Sequence, residues 1–298
     1  MPRRLVIILG PTASGKSKLG LQLAKKFQGV VISADSRQVY RGLNIGTGKI
    51  NQPGMRGVPH YLLDVASPRR QYSVARYARD VRRVLNSIDP NRPVFLVGGS
   101  PFYIKAVTEP HSFSPVPPDA ALRRRLAGLT TARLIARLQK LDPERARHID
   151  PANRRRLIRA VEIAGERRQY YSLQFPPMQV LKIGLAVPRR MLFGRIDRQV
   201  KRRLRGGMIN EVQRLHRRGV PWSRFRAFGL EYRLVVDYLR GRLRRERLGP
   251  KMKSATHDFA RRQMTWWKRD SGIHWVRRLD KAERLVSRFL RTSAGGRT

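Results

Sequence analysis

The chain has 298 residues, 41% of them hydrophobic, with 65 Lys and Arg against 20 Asp and Glu, a formal net charge of +45, and no cysteine. That much apolar residue excludes wholesale disorder, and the lack of cysteine excludes disulfides and thiolate metal sites and fits a reducing cytosol. The basic excess suits a polyanion held through its phosphates, although a solubility device or a general bias toward arginine leaves the same composition, so charge alone names only a class of partner.

In chain order, Arg3 and Arg4 ahead of Leu5–Leu9 imitate the start of a signal peptide. The apolar run is too short for one and leads into a phosphate-loop pattern, so it is read as a core strand. No stretch approaches the roughly 18 apolar residues that cross a bilayer, and no membrane role is expected. Val30–Ser33 and Pro93–Val97 are similar β-branched runs without alternation, which points to strands buried on both faces of a parallel sheet. Between the first two runs, Gly15–Gln28 places Leu19, Leu23, Ala24 and Phe27 on one helical face, completing a strand–helix–strand unit. His111–Pro118 reads as a linker, and Asp119 to about Arg168 as helical. Lys182–Val187 and Gly272–Val276 are further strands. Beyond Ala186 the pattern is of long amphipathic helices. Ile196, Val200, Leu204 and Met208 recur every fourth position, with Arg195, Arg198, Arg202 and Arg205 projecting elsewhere and a break at Gly206-Gly207. The expected fold is α/β, a P-loop NTPase-like parallel sheet core (1–112 and 181–298) with an inserted helical domain (113–180).

Gly10-Pro11-Thr12-Ala13-Ser14-Gly15-Lys16-Ser17 matches G-x-x-x-x-G-K-[ST] between a predicted strand and a predicted helix. Glycines let backbone N–H groups close on phosphate oxygens, the helix N-terminus favours negative charge, Lys16 supplies a cation and Ser17 can hold Mg²⁺. The motif leaves open what is attached to the phosphates. Asp35 ends the second strand at the same sheet edge, where it could act as general base, Mg²⁺ ligand or helix cap. Gly98-Gly99-Ser100 ends another strand there, either as a structural turn or to bring a hydroxyl to a leaving oxygen. The six histidines have no metal-ligand spacing. In Thr256–Lys268 the helical wheel sets Arg261, Arg262, Thr265 and Lys268 on one face and Phe259, Met264, Trp266 and Trp267 on the other. A helix docked by its aromatics and offering cations to a phosphate backbone has this pattern. The tryptophans are read as core in preference to base-stacking platforms.

These pieces together resemble one family, the bacterial tRNA dimethylallyltransferases (tRNA isopentenyltransferases). The likeness covers nearly the whole chain: GPTASGKS (10–17), ISADSRQVYRGLNIGTGK (32–49), GVPHYLLDV (57–65), YSVARYARD (72–80), LVGGSPFYIKA (96–106), RRRLIRAVE (154–162) and RRQMTWWKR (261–269). The resemblance implies transfer of a dimethylallyl group from dimethylallyl diphosphate to N6 of adenosine-37, just 3′ of the tRNA anticodon, releasing diphosphate. Gly10–Ser17 would then hold the donor diphosphate with Mg²⁺ on Ser17, and Asp35 would be the base. Ser100 would help hold the oxygen being released. By the same resemblance Asp35, Ser36, Arg37 and Gln38 meet the tRNA, as do Arg155, Arg156, Leu157, Ile158 and Arg159. So do Arg226, Ala227, Phe228, Gly229, Leu230 and Glu231, and Arg261, Arg262, Gln263, Met264, Thr265, Trp266, Trp267 and Lys268, while the inserted domain grips the anticodon stem. A cytoplasmic location and a monomer are expected.

The chain departs from the family pattern in several places. Ser100 stands for a usual threonine, Gly48 for a usual alanine, and Leu230-Glu231 for a Tyr-Lys or Tyr-Arg pair. The pattern RIDxR, whose last arginine touches the pyrophosphate, reads Arg195-Ile196-Asp197-Arg198-Gln199. Arg198 is then the nearest basic candidate for the donor, about 100° round the helix. The rival readings are a small-molecule or nucleoside kinase using ATP, and a basic RNA-binding protein without turnover.

Overall fold

The computed structural model describes residues 2–109, 112–114, 116, 118–166 and 171–292. His111, Pro115 and Pro117 of the expected linker, the helical end at Arg167-Arg168 and the Ser293–Thr298 tail lie outside the described residues. Contacts divide the chain into two units, Met1–Glu109 with Phe175–Thr298, and Pro110–Gln174.

The first unit opens with β1 (Arg3–Leu9), α1 (Lys16–Lys26), β2 (Val30–Ala34), α2 (Gln52–Met55), β3 (His60–Tyr61), α3 (Val74–Ser87), β4 (Val94–Gly98) and α4 (Pro101–Thr108). The second unit contains β5 (Ser112–Phe113), α5 (Ala120–Ala127), α6 (Thr131–Leu141), α7 (Pro143–His148), α8 (Arg154–Ala164) and β6 (Tyr171–Ser172). The chain then returns to the first with β7 (Met178–Leu185), α9 (Arg189–Arg205), α10 (Met208–Arg217), α11 (Trp222–Ala227) and α12 (Leu230–Leu239). It ends with α13 (Arg245–Trp267), β8 (Ile273–Val276) and α14 (Leu279–Arg291). Among the described residues no helix is long and apolar enough to cross a membrane.

The sheet of the first unit runs β3-β2-β4-β1-β7-β8 with every neighbouring pair parallel. Its strands lack alternation because both faces are covered. Along β1, Leu5, Ile7 and Leu9 enter one core cluster and Val6 and Ile8 the other, all fully buried. Leu19, Leu23 and Ala24 of α1 and Ala282 and Val286 of α14 cover the second face. Each such Leu or Ile contributes about 1.5–3 kcal/mol on burial. With β1 between β4 and β7, and β2 beyond β4, the C-terminal ends of β1, β4 and β2 open side by side. That edge, at a reversal of strand order, is where loops leave a crevice.

Two expectations shift in detail. The strand read as Lys182–Val187 begins at Met178, because its first residues pair with Arg3 and Arg4. The strict four-residue repeat on α9 also drifts. Leu192, Ile196 and Val200 are buried as the pattern requires, but the next inward residue is Arg203, and Leu204 is only half-buried. Three helical turns take about 11 residues, so the inward register passes from 192 to 203. The break falls at Gly206-Gly207, where Gly207 has φ +93°, a left-handed conformation that a Cβ strains.

In the second unit Leu126, Leu134, Leu138, Leu157, Ala160 and Val161 form the core. Glu162, 1% exposed, accepts from Arg123, from Arg159 and from the Asp119 backbone. Burial disfavours its charge, but these partners hold its pKa below the usual carboxylate value.

Candidate active site

The phosphate loop links β1 to α1, and its shape is held by side chains from distant helices. Arg195 on α9 donates to the Ser14 carbonyl at 3.1 Å. Gln263 on α13 spans two loops: its Oε1 accepts from Thr12 N at 2.9 Å, and its Nε2 donates to Gly99 O at 2.9 Å. Glycine at position 99 suits this brace, since a Cβ there would lie 2.7 Å from Gln263 Nε2 and 3.1 Å from Gly10 O and would displace the amide. Gln263 is therefore a buried brace between the P-loop and the β4–α4 turn. Gln263→Leu leaves the Thr12 N–H and the Gly99 carbonyl unpaired, an expected loss of about 1–3 kcal/mol in urea unfolding with a raised KM for the phosphate-bearing substrate. A variant as stable as the parent, with the parent's KM, would remove the brace from the account.

Lys16 folds back on the loop, its Nζ donating to Pro11 O at 3.2 Å. Burial pushes its pKa down to about 8. The Asp35 carboxylate offsets part of that, and Arg37 and Arg203 add to it. Lys16, Asp35, Arg37 and Arg203 thus share one electrostatic neighbourhood. The Asp35 Oδ1 accepts from Arg37 N at 2.9 Å and Gln38 N at 3.4 Å, so the capping role is real. Oδ2 has no hydrogen-bond partner among the described residues. One residue can cap the turn with one oxygen and receive a proton on the other. Ser100 Oγ accepts from Ser36 N at 3.0 Å and lies 3.3 Å from Ser36 Oγ, beside Asp35, with its hydroxyl proton free to exchange partners.

Behind this surface lies a buried ion network. Arg37 Nη1 is 2.7 Å from Glu231 Oε2, and Arg203 Nη1 is 3.6 Å from Glu231 Oε1. Burial opposes the charge on Arg37, but Glu231 and Asp35 outweigh it and hold its pKa above the ordinary value. Burial also opposes the Glu231 charge, and Arg37 and Arg203 keep that pKa low. The neighbouring loop is pinned by Glu211, 1% exposed, which accepts from the backbone N–H groups of Asn44, Ile45 and Gly46 and from the Tyr232 hydroxyl.

The structure brings Gly10–Ser17, Asp35, Ser36 and Ser100 to one edge of the sheet, with Arg37 behind them. Arg198 is exposed, away from the buried stripe of α9, with no contact to the loop among the described residues. The basic groups that α9 does send inward are Arg195 and Arg203, one helical turn to either side of Gln199 on a single stripe. That stripe lies directly beside the apolar one, a signal legible in the sequence though unused there. Of the residues expected to meet RNA, Leu157, Phe228, Glu231, Gln263 and Trp267 are buried at 7% exposure or less. Trp267 is core, and Trp266, half-buried, packs on Phe102 at 5.3 Å. Arg155 and Arg156 are exposed on the second unit, whereas Arg159 is engaged with Glu162 and the Val116 carbonyl. On the first unit Arg226, Ala227, Arg261, Arg262, Thr265 and Lys268 are exposed, Arg226 in an ion pair with Asp237. Gln38, Gly229, Leu230 and Met264 are half-buried; Ile158 is too, in the second unit.

No group of three or more His, Cys, Asp or Glu able to hold a metal occurs among the described residues. The exposed Ser17 hydroxyl at the start of α1 is a hard oxygen donor. It fits a small hard cation that takes most of its ligands from phosphate and water.

A parallel sheet, a glycine-rich phosphate loop at the end of its central strand and a carboxylate two strands away define an α/β protein with a P-loop-like core. Residues 38–270 match the IPP transferase family model, and the chain belongs to that family. A Geotalea uraniireducens protein named tRNA dimethylallyltransferase 1 is 40% identical over 93% of this chain and 93% of its own length. Thermomicrobium roseum has a tRNA dimethylallyltransferase that is 40% identical over 91% of this chain and 85% of its own. Among solved structures, the tRNA isopentenylpyrophosphate transferase of Bacillus halodurans aligns with TM-score 0.73 and 32% identity over 99% of this chain and 98% of that one. A eukaryotic dimethylallyltransferase acting on tRNA shares the fold, with TM-score 0.76 at 23% identity over 96% of this chain and 77% of that one.

Proposed function

We propose that this chain transfers a dimethylallyl group from dimethylallyl diphosphate to N6 of adenosine-37 in tRNA, acting as a cytoplasmic monomer. The observation that carries this reading is one sheet edge that brings together a phosphate loop, a half-buried lysine and the Asp35 carboxylate, one oxygen of which has no hydrogen-bond partner among the described residues. The adenine amine is a poor nucleophile, so a base is needed; the allylic carbon becomes reactive once its diphosphate is neutralised. The allylic C–O bond breaks with its electron pair going to the diphosphate. The N6 lone pair then forms the C–N bond, and Asp35 Oδ2 takes the amine proton. Lys16 and the N–H groups of the loop hold the leaving diphosphate, and the Ser100 hydroxyl turns from Ser36 Oγ to donate to an oxygen of it. Ser17 would hold Mg²⁺, which would supply further neutralising charge there. The target base must leave its stack, at a cost of a few kcal/mol that is smaller in a loop than in a duplex. Exposed Arg261, Arg262 and Lys268 on the first unit, and Arg155 and Arg156 on the second, supply phosphate contacts.

The test is incubation of the purified chain with unmodified tRNA, Mg²⁺ and labelled dimethylallyl diphosphate, with labelled ATP in a parallel arm. Label in the RNA with pyrophosphate released is the expected result. Phosphate transferred from ATP, or tRNA bound and chemically unchanged, would return the protein to the kinase or simple RNA-binder reading.

A further inference from the structure

Three residues that depart from the family pattern, Gly48, Gln199 and Glu231, meet in the structure around a fourth, Arg203. Gln199 and Arg203 are one turn apart on the same face of α9. A Cβ at Gly48 would come within 3.0 Å of Arg203 Nη2 and 3.6 Å of Gln199 Nε2, so this glycine, at φ +61°, leaves the space that the guanidinium fills.

Arg203 is 8% exposed, and its Nε is buried with no hydrogen-bond partner among the described residues. Glu231 does not account for it. That carboxylate already has a closer partner in Arg37, at 2.7 Å against 3.6 Å for Arg203. Lys16, Arg37 and Arg203 lie in the same electrostatic neighbourhood as Asp35 and Glu231. A buried guanidinium with an unpaired donor is costly unless an acceptor, best an anion, completes it. Burial accordingly lowers the Arg203 pKa, with Glu231 offsetting and Arg37 adding to the effect, and Arg203 in turn helps to lower that of Lys16.

We propose that Arg203 binds the diphosphate of the donor, supplying from one helical turn further on the cation that the family pattern places at position 199, with Gly48 making room for it and Glu231 holding it in place. This rests on the prenyl-transfer reading for the identity of the donor. Gly48, Gln199 and Glu231 are then not three separate losses but one rearranged anion site.

The experiment measures, on the full chain with Mg²⁺, the Kd for inorganic pyrophosphate by calorimetry and the separate KM values for dimethylallyl diphosphate and tRNA. Arg203→Met is expected to weaken pyrophosphate binding and raise the donor KM by about 10- to 100-fold, the scale of a lost charge-assisted contact. The tRNA KM should stay within about twofold. The double variant Gln199→Arg with Arg203→Met returns the cation to the family position and is expected to recover most of the affinity. Unchanged pyrophosphate binding in a folded Arg203→Met protein overturns the proposal, as do equal losses for donor and tRNA. Should that variant not fold, Arg203→Lys decides: it keeps the charge but not the planar fork, so pyrophosphate should bind about threefold more weakly or worse, and parental affinity overturns the proposal. A parent protein that binds pyrophosphate but transfers no prenyl label removes the functional reading while leaving Arg203 as an anion ligand, so the two failures are distinct.

Discussion

Asp35→Asn is expected to lower kcat by about 10²–10⁴-fold, the range a positioned general base contributes, with tRNA affinity nearly unchanged. The substitution is chosen for what it preserves. Asparagine keeps an Oδ1 that can accept from the Arg37 and Gln38 backbone, so the turn after β2 stays capped. It removes only the basicity of the second oxygen. Asp35→Ala removes both, and should add about 1 kcal/mol of destabilisation to the catalytic loss. Single-turnover transfer of labelled prenyl to tRNA, read beside thermal melting of each variant, separates the two roles. If Asp35→Asn turns over within threefold of the parent, Asp35 is only a cap and another group must take the proton.

The sheet was legible because its strands are buried on both faces. Runs such as Leu5–Leu9 and Val94–Val97 leave no solvent face to break the apolar pattern, and the phosphate loop marks where the first of them ends. β3 was not legible: two residues, His60 and Tyr61, are too few to carry a period. Within the site, motif spacing located Lys16, Asp35 and Ser100, whose positions follow from strand ends. It left open those side-chain orientations that depend on helix register. Gln263 sits among exposed cations in sequence yet turns inward, because Met252, Thr256, Ala260, Gln263 and Trp267 form the buried stripe of α13. A polar residue on an inward stripe is invisible to a hydrophobicity count and costs nothing once both ends of its amide are paired. Arg203 escaped for the same reason, with the added drift of α9 from a four-residue repeat. Glu231 was matched to an RNA contact by position, whereas its chemistry, a carboxylate between two guanidiniums, is that of a buried counterion.

Lys16→Met should reduce kcat/KM for the donor by about 10²–10³-fold, the loss seen when a group aimed at developing negative charge is removed. The pH dependence of the parent enzyme distinguishes this from simple damage to the loop. In the free protein burial brings the Lys16 pKa down to about 8, so the ammonium is present below that pH and is lost above it. The bound diphosphate raises the pKa again, so binding takes up a proton wherever the free lysine is neutral, and affinity must fall as pH rises. Donor kcat/KM should therefore be flat below about pH 8 and decline by up to about tenfold per unit above it. Lys16→Arg keeps its charge throughout this range and should abolish the decline even if its absolute rate is lower. A parent profile that stays level to pH 10, or a decline that persists unchanged in Lys16→Arg, would mean that the titrating group lies elsewhere and that Lys16 does not meet the diphosphate as the folded loop suggests.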